Sequence, residues 1–246
     1  MRPDKTNLTI VYYTSNYLED KNPYFLSNTK KQLLEAAGDL PIVSVSQKPI
    51  SLGTNICVGD IGRSHLNIYR QILIGAKEAK TEFVAMAEDD ILYSFEHFHH
   101  QLPLPDRYLY DMNRISLFTW TKPPIFSYRH NRTVVNQLIA PRQMLIDNLE
   151  ERFKVFPEFA KTHGGEEHAL KYFADPGRYE DILGITPRRI DKFMCTKSSI
   201  VFSHEWAYGY EFNQGKKKRL GDLRIIETQG WPRAEEVLRL FYESSN

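Results

Sequence analysis

The stretch Phe83–Asp90 reads Phe-Val-Ala-Met-Ala-Glu-Asp-Asp, a short apolar run that ends in three consecutive acids. An apolar run of this length predicts a buried strand. In an open α/β sheet, the residues just past the carboxyl end of such a strand lie at the edge where ligands bind. We therefore expect Glu88, Asp89 and Asp90, called the acidic motif below, to lie at a ligand-binding edge.

Three adjacent carboxylates repel one another unless a cation neutralises them. Mg²⁺ or Mn²⁺ suits such a group, because hard cations take oxygen ligands and also bind phosphates. The alternative is an acidic turn at the start of the next helix, where negative charge is favoured by the helix dipole. The sequence leaves both interpretations open.

The segments before the acidic motif alternate between strand and helix patterns. Ser64 is suited to cap a helix that runs to about Ala79, in which apolar residues recur every three or four positions. Two strands joined by a helix indicate a parallel βαβ unit and an α/β fold. The other predicted elements here are a strand over Leu8–Tyr13, a helix over Ser27–Ala37 stopped by Gly38, and a strand over Pro41–Val45.

The alternation loosens after about residue 100, and we expect one compact domain with a nucleotide-binding half (1–100) and a more irregular acceptor-binding half (101–246). Residues 207–221 are predicted to form a loop. The predicted elements of the second half are strands over Ile115–Trp120, Val135–Ala140 and Ile200–Phe202, and helices over Arg142–Phe153, Glu166–Phe173 and Ala234–Tyr242.

Composition and charge place the chain among soluble globular proteins. Its 246 residues are 41% hydrophobic and 26% charged, with a formal net charge of +1. This mix excludes a disordered chain, a collagen and a basic polyelectrolyte. Cys57 and Cys195 have no metal-ligand or disulfide-framework spacing. No apolar run reaches about 18 residues, so a soluble, cytoplasmic protein is expected.

The order of these motifs resembles that of the nucleotide-sugar glycosyltransferases with the GT-A fold, specifically a small, soluble, family-2-like member of the kind found in phages. Gly62-Arg63-Ser64-His65-Leu66-Asn67 resembles the Arg-containing helix start of that family, and the acidic motif resembles its D-x-D-type sequence. Gly164-Gly165-Glu166-Glu167 is similar to the Gly-Gly-Glu-Asp motif of inverting members, and His204 resembles a late metal-binding His. The resemblance implies a Rossmann-like mixed sheet flanked by helices. Glu88 and Glu167 stand where the family more often has Asp, and Gln47 stands where many members have an acid.

The resemblance and the chemistry of sugar transfer assign roles to named residues. Asp90 and His204 are expected to bind Mn²⁺ or Mg²⁺, Glu167 to act as the general base, and Glu166 to hold the acceptor hydroxyl. For the last two residues the alternative is stabilisation of the helix start. The residues expected to bind the nucleoside-diphosphate sugar are Tyr13, Thr14, Ser15, Asn16, Arg63, Glu88, Asp89, Lys217 and Arg219.

Two other classes of function remain open from sequence. A nucleotidyltransferase shares the sheet and the metal chemistry, but usually has a Gly-rich basic loop after the first strand, and residues 14–17 contain no Gly. A non-catalytic glycan or nucleic-acid binder on the same scaffold is the other. The acceptor of a transferase is also open: hydroxymethylated pyrimidines in DNA, contacted through Arg129, Arg132 and the basic run 216–219, or a glycan or protein.

Two groups of side chains outside these motifs have a simpler interpretation. His97, His99 and His100 alternate with aromatic residues and are predicted to belong to an ordinary helix or turn. Trp120 and Trp206 lie near predicted strand ends, where stacking on a sugar or base and packing in the core are equally compatible with the sequence.

Overall fold

The computed structural model describes residues 7–128, 133–173, 175–203 and 223–243. Within these ranges no helix combines the length and apolarity that crossing a membrane requires. In chain order the elements are β1 (Leu8–Thr14), α1 (Pro23–Ala37), β2 (Ile42–Ser46), β3 (Thr54–Cys57), α2 (His65–Glu78), β4 (Phe83–Glu88), β5 (Ile91–Leu92), α3 (Phe95–His99), β6 (Arg107–Asp111), β7 (Arg114–Phe118), β8 (Ile125–Tyr128), a 3₁₀ helix (Val135–Gln137), β9 (Leu138–Pro141), α4 (Arg142–Thr162), α5 (Glu166–Ala169), α6 (Glu180–Leu183), β10 (Arg189–Phe193), β11 (Ser199–Ser203), β12 (Leu223–Ile225) and α7 (Ala234–Tyr242).

Seven of the described strands form a mixed sheet in the order β10-β6-β9-β4-β1-β2-β3. β1 is parallel to both β2 and β4, whereas β9 is antiparallel to both β4 and β6. Helices pack against this sheet on both faces, so the predicted α/β fold with a mixed sheet flanked by helices is confirmed. The pairing also places Tyr13 beside Glu88, which brings the ends of β1 and β4 together.

The central strands are buried on both faces, which explains their continuous apolar sequences. All residues of β1 are buried, as are Phe83 to Ala87 of β4. On one face α2 packs against the sheet through Ile72 and Ala76. Gly75 allows this close approach, because a Cβ there would lie 2.4 Å from Val11 Cγ1. A tightly packed βαβ unit therefore supports the acidic motif.

A second sheet begins immediately after the acidic motif. Its described strands have the order β12-β8-β7-β11-β5. β5 follows Asp90 directly, and the backbone N–H of Phe202 in β11 donates to the Asp90 carbonyl at 3.0 Å. The acidic motif thus lies where the two sheets meet.

Several predicted bounds are corrected by the structure. The segment predicted as one strand over Val135–Ala140 is a 3₁₀ helix followed by β9, and the Asn136 side chain in its first part donates to Glu88 of the acidic motif. The helix predicted over Arg142–Phe153 continues to Thr162, since Phe156, Phe159 and Ala160 extend its buried stripe.

Two further bounds differ from the sequence expectation. The helix predicted over Glu166–Phe173 has only the single turn of α5, and the strand predicted to reach Trp120 ends at Phe118. The sequence does not predict β6 or β10, whose polar residues interrupt the apolar pattern. These two strands pair with each other and carry an ion pair between Arg107 and Asp191.

Candidate active site

The acidic motif lies at the carboxyl edge of the larger sheet, as its position after β4 predicts. Its three side chains are half-buried. Among the described residues, none of the three carboxylates forms an ion pair. The charges of Arg63 and Arg114 act on these acids without forming such a pair, so within the described residues the local negative charge is only partly compensated.

Both carboxylate oxygens of Glu88 are bound by neutral donors. The Tyr13 hydroxyl donates to Oε1 at 2.7 Å, and the Asn136 side-chain amide donates to Oε2 at 2.8 Å. Burial raises the pKa of Glu88, and these two hydrogen bonds partly offset that effect. Glu88 is thus held in one orientation by groups that bring no positive charge.

Asp89 is bound by the residue at the end of the neighbouring strand. The Thr14 hydroxyl donates to Asp89 Oδ2 and accepts a hydrogen bond from the backbone N–H of Asn16 at 2.9 Å. Burial raises the pKa of Asp89 to about 6, and the nearby charge of Glu88 contributes to the shift. The ends of β1 and β4 are therefore connected through side chains as well as through the sheet.

Asp90 differs from its two neighbours in its contacts. Among the described residues, no other side chain donates a hydrogen bond to its carboxylate. Burial, followed by the charges of Glu88 and Asp89, raises its pKa well above the usual range, and Arg114 opposes this shift. Asp90 is the acid of the motif whose oxygens remain available to a ligand.

The loop after β1 is fixed by Asn16, which adopts a left-handed conformation with φ of 59°. Its buried side-chain oxygen accepts hydrogen bonds from the backbone N–H groups of Gln47 and Lys48, both at 2.8 Å. Ser15 is half-buried and lies between Thr14 and Asn16. The structure thus brings the predicted residues Tyr13 to Asn16 to the same edge as the acidic motif, with the Asn16 side chain holding the loop to β2.

Arg63 precedes α2 at this same edge. Its guanidinium carbon lies 3.8 Å from the centre of the Tyr17 ring, and its charge lowers the pKa of the neighbouring Asp89. Ser64 caps α2, as predicted, by accepting from the backbone N–H of Asn67 at 3.1 Å. An exposed cation is therefore held beside the acidic motif.

Glu166 and Glu167 are exposed at the start of α5. Gly164 and Gly165 precede them with φ values of 81° and 89°, which other residues rarely adopt. α5 packs against α4, and the described residues show no hydrogen bond or ion pair between these two acids and the acidic motif. The described contacts thus do not connect the predicted base with the motif, and its role stays a prediction.

His97, Asp111 and Cys195 form a separate buried cluster in which potential ligand atoms lie within 4.8 Å of one another. His97 Nδ1 lies 3.0 Å from Asp111 Oδ2, while Asp111 Oδ1 accepts from the backbone N–H of Asn113 at 2.9 Å. Burial raises the pKa of Asp111, but the hydrogen bond to His97 lowers it overall. Burial also raises the pKa of the Cys195 thiol. Protein hydrogen bonds satisfy this carboxylate, so we interpret the cluster as structural.

Some predicted residues lie outside the described part of the chain. They are Arg129, His130, Arg132, His204, Trp206 and the segment 207–221 with Lys217 and Arg219. Trp120 is described and is 41% exposed, with its ring in an edge contact with Phe118. Core packing therefore does not account for this Trp.

Sequence reasoning missed Asn136 and Tyr93, which both contact the acidic motif. Tyr93 OH accepts from the Glu88 backbone N–H at 3.2 Å and donates to the Asn136 carbonyl at 3.1 Å. The Tyr93 position, three residues after the motif, offered a weak signal. Asn136 offered none, because its contact with Glu88 spans 48 positions of sequence.

No family model and no curated protein matches the chain. Among solved structures, a glycosyltransferase involved in glycosylation of the major capsid of the virus PBCV-1 is 12% identical, with 79% of this chain and 91% of that one covered and a TM-score of 0.45. TarS 1-349 of S. aureus in complex with UDP-GlcNAc is 14% identical, with 80% and 59% covered and a TM-score of 0.42. A nucleotidyl transferase from Methanothermobacter thermautotroptrophicus is 10% identical, with 58% and 75% covered and a TM-score of 0.39.

The chain thus spans 59% of the TarS 1-349 chain. At these identities and TM-scores the likenesses concern chain architecture and assign no role to any residue.

Proposed function

We propose that the protein is a metal-dependent glycosyltransferase that moves a sugar from a nucleoside-diphosphate sugar, expected to be a UDP-sugar, to an acceptor hydroxyl. The observation that carries this proposal is Asp90. It lies at the ligand-binding edge of the sheet, its carboxylate has no side-chain donor among the described residues, and two fixed acids precede it.

The chemistry of the acidic motif fits Mg²⁺ or Mn²⁺. Hard divalent cations prefer carboxylate oxygens and bind through one or two carboxylates together with substrate phosphates. Asp90 would hold the ion, with His204 as the second ligand that the resemblance implies. When bound, the ion stabilises the negative charge that develops on the departing diphosphate.

The proposed donor site comprises the loop after β1 and the start of α2. Thr14 and Asn16 hold this loop to β4 and β2, which leaves Ser15 and the backbone to contact the nucleoside. Arg63, beside Asp89, is placed to contact a phosphate oxygen through its planar guanidinium. Lys217 and Arg219 complete the proposed set of cations.

In the proposed reaction the acceptor oxygen attacks the anomeric carbon as the bond to the diphosphate oxygen breaks on the opposite face. The acceptor proton passes to Glu167, and Glu166 orients the hydroxyl. A single displacement of this kind inverts the anomeric configuration. The exposed position of both acids on a short helix after two left-handed glycines gives the acceptor access to them.

The test is release of UDP from a panel of UDP-sugars, measured with Mn²⁺ and again with a chelator. Metal-dependent release by the wild-type protein and its loss in Asp90→Asn would support the proposal. Release of pyrophosphate from nucleoside triphosphates instead would indicate a nucleotidyltransferase, and no turnover or binding of any sugar nucleotide would indicate a non-catalytic binder.

The acceptor and the stereochemistry follow from a second assay with the active donor. DNA containing hydroxymethylated pyrimidines, a glycan and a protein are offered as separate acceptors, and the labelled product is identified. NMR of its anomeric proton then distinguishes inversion, which we expect, from retention, which would contradict the proposed single displacement.

A further inference from the structure

Asn136 is joined to Glu88 directly through its side chain and indirectly through Tyr93, and these hydrogen bonds form a closed ring. Its side-chain amide donates to Glu88 Oε2 at 2.8 Å. Its backbone carbonyl accepts from Tyr93 OH at 3.1 Å, and that same hydroxyl accepts from the Glu88 backbone N–H at 3.2 Å. Asn136 and Tyr93 are both buried, with exposed fractions of 5% and 0%. The ring therefore fixes both the backbone and the side chain of the first acid of the motif.

The 3₁₀ helix that carries Asn136 is itself held by the segment that follows α5. The backbone N–H of Val135 donates to Asp175 Oδ1 at 2.7 Å. Asp175 also forms an ion pair at 3.3 Å with Arg178, so its carboxylate is held from two directions. The segment that follows α5 is thus joined to the acidic motif through Val135 and Asn136.

The donors to the Glu88 carboxylate are neutral, so they leave in place the negative charge that would attract a cation. An Arg or Lys in place of Asn136 would fix the carboxylate equally well but would cancel its charge. An amide and a phenol restrain the carboxylate while leaving its negative charge in place. Glu88 stands two residues before the proposed metal ligand Asp90, so fixing it also restrains the backbone that carries that ligand. Replacing groups that orient metal ligands typically changes metal affinity by about 10–100-fold.

We propose that Asn136 is a positioning residue for the acidic motif: it fixes Glu88 without neutralising it, so that Asp89 and Asp90 face the donor, and Asp175 holds its turn in place. The proposal rests on the proposed function, since it assumes that the motif binds a cation and a nucleoside diphosphate.

The chain offers a matched control in Asn148, which is also buried and also donates to a Glu carboxylate, Glu180 Oε1, at 2.5 Å. Asn136→Asp and Asn148→Asp both place a second carboxylate against a Glu and remove one amide donor. Both variants are expected to lose thermal stability. Only Asn136→Asp is expected to weaken binding of Mn²⁺ alone and of UDP with Mn²⁺, by about 10–100-fold.

The experiment measures Mn²⁺ binding by electron paramagnetic resonance and UDP binding by calorimetry in the full-length wild type and variants, below the melting temperature of each. Asn136→Ala removes the same amide donor from Glu88 without adding a charge, and is expected to weaken both affinities in the same direction. It also serves where Asn136→Asp alone does not fold.

The outcomes separate this inference from the function on which it rests. If Asn136→Asp binds Mn²⁺ and UDP as tightly as the wild type, the positioning role is overturned. The same holds if Asn148→Asp loses as much affinity as Asn136→Asp. Either result leaves the glycosyltransferase proposal standing. A wild-type protein that binds neither Mn²⁺ nor UDP would overturn both.

Discussion

The molecule contains two groups of polar side chains with buried or half-buried acids, and the groups differ in how the charge of the acids is compensated. At the edge of the larger sheet, Glu88, Asp89 and Asp90 have raised pKa values and, among the described residues, no ion-pair partner. Beneath the segment that follows α5, Glu180 lies 3.5 Å from the guanidinium of Arg152, and both side chains are almost fully buried.

The second group, the Arg152 network, is complete in both charge and hydrogen bonds. Arg152 donates to Asn148 Oδ1 at 2.8 Å and to the carbonyl of Arg178 at 2.8 Å. Glu180 accepts from Asn148 and from the backbone N–H groups of Gly177 and Arg188. Such a network stabilises one conformation of the loop it supports because each polar group has a partner.

The difference separates an acid whose charge is compensated inside the protein from acids whose charge is available for the proposed binding of a cation. An acid with an internal cation is already neutralised and attracts nothing further. Acids that are fixed by neutral donors keep a negative potential that a cation from solution can satisfy. Each of the predictions that follow would break or sharpen this distinction.

The largest effect is expected from Asp90→Asn. Because Asp90 has no side-chain donor among the described residues, its removal should cost little in structure but should remove the main proposed metal ligand. Turnover of UDP-sugar should fall by at least about 10³-fold, since a metal ion supplies several kcal/mol of transition-state stabilisation. Thermal stability should hold or rise, because one repelling charge is gone. Wild-type turnover with Mn²⁺ would remove Asp90 from the site.

Glu167→Gln tests a third kind of acid, one that is exposed and, within the described ranges, has no ion-pair partner. If Glu167 is the general base, the kcat of the variant should be about 10²–10⁴-fold below that of the wild type, while its affinity for UDP changes little. Glu166→Gln should instead raise the KM for the acceptor. A role limited to the helix start would give both variants near-normal rates and a similar small loss of stability, which is the result that would contradict the assignment.

Arg152→Met should have the largest effect on stability. Removing the cation leaves Glu180 buried without its ion-pair partner, and loss of one partner of a buried pair costs about 3–5 kcal/mol. For a chain of this size that lowers the melting temperature by about 6–20 °C. Arg152→Met/Glu180→Gln should lose less than the single variant. A single variant that melts with the wild type would show that the two groups of acids do not differ as described.

Much of this architecture could be predicted from the sequence, because it depends on local patterns. The apolar runs of β1 and β4, the cap of α2 at Ser64 and the range of α7 are encoded within a few neighbouring residues, and the structure confirms them. The position of the acidic motif at the sheet edge follows from the strand before it.

The remainder depends on contacts between residues that are distant in sequence. β6 and β10 are stabilised as strands by pairing with each other, although Arg107 and Asp191 interrupt their apolar character. Asn136 lies at the acidic motif only because the fold brings it to Glu88. Nothing in the local sequence separates it from Asn148, whose similar hydrogen bond belongs to the Arg152 network.

The smallest effect is expected from pH in the metal-free protein. Burial raises the pKa of Asp89 to about 6 in the folded state, whereas an unfolded Asp titrates near pH 3.9. The folded protein therefore binds this proton more tightly, so stability increases as the pH falls from about 7 through 6 toward 4. After discounting for solvent screening of a half-buried group, a gain of about 1 kcal/mol is expected, or about 2–4 °C in melting temperature.

Other groups restrict the useful pH range and require a control. Asp111 and Glu151 have lowered pKa values, through His97 and Arg188 respectively, so their contributions to stability are lost only at more acidic pH. The measurement is therefore the difference in melting temperature between wild type and Asp89→Asn, followed in chelator from about pH 8 to about pH 5.

Asp89→Asn should lack the rise, and saturating Mn²⁺ should remove it from the wild type, because a bound cation keeps the carboxylates ionised. If the melting temperatures of the two proteins change in parallel with pH, the acidic motif has no uncompensated charge. It would then not differ from the Arg152 network in the way described.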